Sequence, residues 1–232
     1  MVKRFIALAL LAALGGLFAA LLIGYEPDPA LNATARYYAE RTAPDIGAAN
    51  IVTAIVVTYR GLDTLGEVTV LFLSAAIVGL VLAHRRRPEG PRRAGPPVGE
   101  LLTTGARLLA PLILLLGVYV FVNGHLTPGG GFQGGAIIAS ATLLLLLSDP
   151  LRRFSHRLIG VVESLAGTLF VALGLLGLLL AGGFLDNRFL PLGNLGDLFS
   201  AGAIPLIYSL IGLKVGAELS SLLADLSEME AL

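Results

Sequence analysis

The stretch LIGVVESLAGTLFVALGLLGLLLA, residues 158–181, runs for 24 residues with a single charged side chain, Glu163. A helix needs about 20 apolar residues to cross a hydrocarbon layer of about 30 Å, and this run meets that length. Comparable runs lie on both sides of it. Residues 5–23 carry no charge, and residues 108–122, 132–147 and 201–223 are apolar over most of their length. Residues 51–57 are apolar and are continued, after a charged interval, by residues 68–83. The shorter runs recruit flanking residues to cross. The pattern predicts an all-α polytopic membrane protein of six spans. Composition agrees, because 14% of the residues are charged and a soluble domain carries about 25%. The same apolar composition excludes a disordered chain. With 16 basic and 16 acidic residues there is no net field to attract nucleic acid, and with no cysteine there is no disulfide or thiolate metal site.

Basic residues in short loops orient the spans. With a cytoplasmic N-terminus, the inner side receives Lys3, Arg4, Arg85, Arg86, Arg87, Arg92, Arg93, Arg107, Arg152, Arg153 and Arg157. The outer side receives only Arg36, Arg41 and Arg188. Both termini are therefore expected in the cytoplasm. The first run is expected to be retained as a span, since its 19 residues exceed the usual 7–15 of a signal peptide. Asn32-Ala33-Thr34 fits a glycosylation pattern too short to carry weight alone. Residues 84–97, HRRRPEGPRRAGPP, are basic and rich in proline and glycine, and cannot be helical throughout. They read as a cytoplasmic linker between a two-span unit (1–83) and a four-span unit (98–232).

A charge at the middle of a bilayer costs about 2.5–3.5 kcal/mol, so charges retained inside spans point to function. In TYRGLDTLGEV, residues 58–68, helical spacing puts Arg60, Asp63, Thr64 and Glu67 on one face. Gly61 and Gly66 permit a bend or a close neighbour there. The segment 50–82 is too long for one perpendicular crossing, while the charge count requires an odd number of crossings. A bent helix satisfies both, as does an interfacial helix followed by a span. The group reads either as a proton or cation relay, with two carboxylates one turn apart sharing protons, or as an Arg60–Asp63 pair beside a protonated Glu67.

A second feature is NGHLTPGGGFQGG, residues 123–135, whose glycines and one proline break the helix between two spans. The break comprises Pro128, Gly129, Gly130, Gly131 and Phe132. Backbone of this kind is tolerated at membrane depth only when buried or lining a wet cavity. Free carbonyl groups there, with His125, would meet an ion or hold water; a purely structural break is the alternative. Third, Lys214 and Glu218 stand one turn apart on the last span, flanked by Gly212 and Gly216, which suit close helix packing. They read as an internal pair or as part of a proton path. Glu163, near the start of its span and close to Arg157, is expected to snorkel toward the surface.

Gly129, Gly131 and Gly134 also fit the dinucleotide glycine pattern, but with no preceding strand the match is empty. No catalytic triad order, HExxH or Walker motif occurs, and the loops are too short for a soluble catalytic domain. The expectation is a transport subunit, not an enzyme by itself.

NGHLTPGGGFQGGAIIAS, residues 123–140, resembles the signature of the B subunit of Mrp-type (multiple resistance and pH) Na+/H+ antiporters, the MnhB family. GLKVGAELSSL, residues 212–222, resembles that family's last span. NIVTAIVVTYRGLDTLGEVTVL, residues 50–71, is similar to the C-terminal tail of the Mrp A subunit, and equally to the small subunit that replaces this tail in membrane-bound hydrogenases. The front part of the A subunit, which resembles the proton-pumping subunits of respiratory complex I, has no counterpart in this sequence.

The resemblance implies a component of a multi-subunit complex in a prokaryotic cell membrane, surrounded by lipid. Its partners would be other Mrp-like or complex I-like chains that supply the proton pump, with redox subunits if the parent complex is redox-driven. The transported ions would be Na+ and H+, with no covalently bound cofactor. Carried over by motif, the family's important acid falls on Glu67, with Asp63 beside it, and its histidine falls on His125, with Pro128 and Phe132. In the family these features lie near one another and are associated with the sodium path, which makes Glu67 a transient Na+ site. The alternative is a non-conducting assembly subunit whose charges seal helix contacts.

Overall fold

The computed structural model describes residues 2–26, 30–85, 99–149 and 151–230. Every regular element among them is helical. Six helices have the length and apolarity of membrane spans: α1 (Val2–Ile23), α4 (Gly61–Arg85, apolar through Leu82), α5 (Glu100–Val122), α6 (Gly131–Ser148), α7 (His156–Ala181) and α8 (Ile204–Glu230). Between the first two lie the short helices α2 (Ala33–Arg41) and α3 (Ile51–Thr53). The six spans coincide with the six apolar runs of the sequence. Of the basic linker, residues 86–97 lie outside the described residues.

The chain makes two compact units, Met1–Tyr37 and Tyr38–Leu232. The first carries α1, and the side chain of Asn32 caps the start of α2 by accepting from the Ala35 amide at 2.8 Å. The second is organised around α8, which packs against α4, α5, α6 and α7. Glycines let these helices approach closely. A Cβ at Gly131 would stand 2.5 Å from the Ile211 Cβ, one at Gly135 2.7 Å from the Val215 Cβ, and one at Gly134 2.6 Å from the Gly117 carbonyl oxygen. Gly131 and Phe132, expected within the break, instead form the first turn of α6. The break is shorter than its composition suggests because close packing on α8 and α5 offsets the poor helix propensity of glycine.

The long segment around residue 60 resolves as a broken helix. α3 runs into a π-helical turn, Ala54–Tyr59; Arg60 leaves helical geometry at φ −126°, ψ 37°; and α4 starts at Gly61. Gly61 allows the close approach foreseen for it, since a Cβ there would meet the Leu185 Cβ at 2.9 Å. Gly66 does not, for no atom lies within 4 Å of the same position.

Candidate functional site

The charged group of residues 58–68 divides between two surfaces. Thr64 is buried and donates from Oγ1 to the Val56 carbonyl, tying the first turn of α4 to the π-helical turn. Asp63 and Glu67 lie on the exposed face of α4, and Arg60 sits just before it, so the single shared face is not formed. Asp63 is held by Arg60, with 2.5 Å between Nη2 and Oδ2 and more than half of each side chain exposed. The Arg60–Asp63 pair, one of the two readings of this segment, is thus formed. Glu67 lines neither of the two cavities between α4, α7 and α8.

The loop after α5 is closed by the segment before α3. Asn50 donates from its side-chain amide to the carbonyls of Gly124 and Thr127, each at 2.9 Å. Thr53 Oγ1 donates to Gly124 at 2.6 Å and receives the Tyr208 hydroxyl at 3.1 Å. The amides of Ala49 and Asn50 both donate to the His125 carbonyl at 3.0 Å. The carbonyls of Gly124, His125 and Thr127, expected to be free for an ion, are therefore occupied. One short stretch of chain satisfies all of them, because buried carbonyls demand partners. His125 is fully buried, with Nε2 3.3 Å from the Asp197 carbonyl and Nδ1 unpartnered. Burial lowers its pKa from the ordinary 6.5, and contacts with the backbone of Asp197, Val122 and Leu198 oppose this only in part. Pro128 is exposed at the tip of the loop.

A second loop, after α7, is ordered by polar side chains that carry no signal in the sequence. Asn187 is buried and donates to the carbonyls of Ile46 and Ala201, both at 2.8 Å. Beside it, burial raises the Asp186 pKa, but hydrogen bonds and charge from Arg188 outweigh burial and leave it below the ordinary 3.8.

The interior charges gather on α8. Lys214 Nζ lies 3.2 Å from Glu218 Oε2 and 3.7 Å from Glu163 Oε1, with all three side chains largely buried. The Phe72 ring of α4 lies under the same ammonium, 4.9 Å from centroid to Nζ. Glu163 does not snorkel toward Arg157; it turns inward, because the packing of α7 on α8 places it opposite Lys214. Glu218 Oε1 is buried without a hydrogen-bond partner. Toward the ends of the same helices, His156 at the start of α7 lies 3.0 Å from Glu228 and 3.9 Å from Asp225 on α8. Asp225 and Glu228 give no signal in sequence beyond their helical spacing from Lys214 and Glu218. Their meeting with His156 depends on which helix docks on α8.

Six apolar helices, one of them carrying ionisable groups buried at mid-length, define a multi-pass membrane protein with polar side chains inside its helix bundle. The chain belongs to the family described as "Domain related to MnhB subunit of Na+/H+ antiporter", whose model matches residues 101–221. A second model, that of the MBH E subunit, matches residues 2–95. Among solved structures, a chain of the membrane-bound sulfane sulfur reductase, an archaeal respiratory membrane complex, is 44% identical with TM-score 0.83, the match covering 97% of this chain and 98% of that one. A chain of the Mrp complex from Dietzia sp. DQ12-45-1b is 30% identical with TM-score 0.73, over 97% of this chain and 26% of that one. The A/B subunit of a probable K(+)/H(+) antiporter of Rhizobium meliloti is 33% identical over 174 residues, 64% of this chain and 17% of that protein. The chain is thus homologous to subunits of both antiporter and respiratory membrane complexes, and its partners are other membrane subunits.

Proposed function

We propose that this chain is an ion-path subunit of a multi-subunit cation/proton antiporter-type complex, with Na+ and H+ as the moving ions and without catalytic chemistry of its own. The observation that supports this reading best is the Lys214 cluster. Three ionisable side chains are kept inside a helix bundle where apolar residues of equal volume would pack as stably or better. Glu67 contributes differently. Its carboxylate lies on the outward face of α4, within the part of the chain that a partner subunit would cover. There it serves as a transient cation site, with the Arg60–Asp63 pair setting the local charge. The cytoplasmic placement of both termini, and the division into units 1–83 and 98–232, belong to the same proposal. Glu67→Gln is expected to abolish sodium-dependent exchange in vesicles while the complex still assembles. Wild-type exchange by that variant overturns the role of Glu67.

A second reading is a non-conducting assembly subunit. It draws on the saturated carbonyls of the 123–130 loop and on the closed Arg60–Asp63 pair. It predicts that substitutions at Glu67, His125 and Lys214 change the yield of complex but not ion turnover per complex.

A further inference from the structure

α4 and α7 both pack on α8, and they leave a cleft whose floor is α8 itself. Within it lies a cavity of about 200 Å³, lined by Ala75 and Gly79 of α4, Glu163 of α7, and Glu218, Ser221 and Asp225 of α8, among others. The α8 residues recur at helical spacing and form one stripe. From Lys214 to Asp225 the stripe covers about 16 Å along the axis, roughly half a hydrocarbon layer. The inner end of the cavity meets the Lys214 cluster through Glu163 and Glu218. Its outer end reaches Asp225, which stands beside His156 and Glu228. The volume is large enough for several waters, and every turn of α8 along it offers a polar partner. Glu218 Oε1 is buried and receives no hydrogen bond from the protein.

We propose that this cleft is the proton-access route to the Lys214 cluster, and that His156, flanked by Asp225 and Glu228, forms its mouth. The route rests on the ion-path reading of the cluster given above. A proton enters on the His156 imidazole or the Asp225 carboxylate and passes along waters beside Ser221 to the Glu218 carboxylate. Each water accepts one proton and releases another, so no other bond changes. Protonated Glu218 no longer neutralises Lys214, which then turns to Glu163. Return of the proton restores the first pair. The groups facing the route are Lys214, Glu218, Asp225 and Glu228 from α8, and Glu163 and His156 from α7. The α4 wall contributes Phe72, Ala75, Ala76 and Gly79, which cannot titrate.

The test uses the assembled complex reconstituted in vesicles. The chain has no cysteine, so Ser221→Cys and, on the outward face of α7, Leu179→Cys report water access through a membrane-impermeant maleimide read by mass on this chain. The thiol introduced at position 221 is expected to be labelled from one side of the membrane, and that at 179 to stay unlabelled. Ser221→Phe and Asp225→Asn are expected to lower proton-coupled turnover about tenfold and to shift its pH profile, with Asp225→Glu restoring most of it. Glu218→Gln tests the underlying reading and is expected to abolish turnover. If Glu218→Gln runs at the wild-type rate, the ion-path reading and this route both fall. If Glu218→Gln is inactive while Ser221→Phe and Asp225→Asn run at the wild-type rate, or the thiol at 221 is not labelled, the reading stands and the route is overturned.

Discussion

Around Glu67 the charges of α4 face outward, and Arg60 and Asp63 neutralise each other with more than half of each side chain exposed. On α8 the same kinds of residue face inward, and Lys214 is shared between Glu163 and Glu218 with little exposure of any of them. Both groups are built from helical spacings of three or four, so spacing alone does not separate them. What separates them is enclosure within this chain. The Arg60–Asp63 pair is left uncovered by the rest of the chain, whereas the buried cluster is mutually dependent and each member's removal strands the others. The outward group suits contact with another subunit; the inward group suits charge handling within this one.

The largest expected break of this contrast is Lys214→Met. It strands two buried carboxylates and should cost about 3–5 kcal/mol in stability. Thermal melting of the detergent-solubilised complex would register this, and adding Glu218→Leu should recover much of the loss. Equal melting of the single and double variants would show that the two charges are not coupled.

Next comes the packing of α6 on α8, the helix that carries Lys214 and Glu218. Gly131→Ala drives a methyl group against the Ile211 Cβ at 2.5 Å and should cost about 1–3 kcal/mol by overpacking. On the outward face, Gly66→Ala meets open space and should instead gain up to about 1 kcal/mol from helix propensity. Melting the two variants side by side tests whether α4 is uncovered there in the assembled complex, since a partner packed on Gly66 would reverse the sign.

His125 supplies a buried titratable group without a charged partner. Its folded pKa lies below 6.5, mainly through burial, so the unfolded chain binds more protons than the folded one just below that pH. Its contribution to stability is complete above pH 6.5 and is lost as the pH falls through the folded value. With the intrinsic exchange rate divided out, the protection of the Ala49 and Asn50 amides should therefore fall on acidification, and His125→Gln should flatten that response. Smallest of all, Asp63→Asn should change stability by less than about 1 kcal/mol, as for other exposed pairs. A larger loss in the complex than in the isolated chain would show that a partner buries Arg60.

Much of the architecture is legible in the residues alone. The span at 158–181 and its five companions follow from run length, a local property that no neighbour alters. A bend or an interfacial helix within residues 50–82 follows from a segment too long for one crossing, though not its place at Arg60, and the Lys214–Glu218 pair follows from its spacing of four. The corrections share one origin. A place near the start of its span assigns Glu163 to the surface, yet it turns inward to Lys214 on another helix. The loop carbonyls read as free because nothing local can satisfy them, and Asn50 and Thr53, more than 70 residues away, do so.

The sequence by itself therefore determined the six spans and the positions along them where charge is retained, because insertion cost and helical period depend on neighbouring residues alone. The tertiary structure decided which of those charges the chain encloses and which meet. That outcome depends on which helices dock on α8: α7 brings Glu163 to Lys214, while close approach at Gly131 and Gly135 seats α6 on α8 and at Gly134 seats it on α5, where any side chain would hold the helices apart.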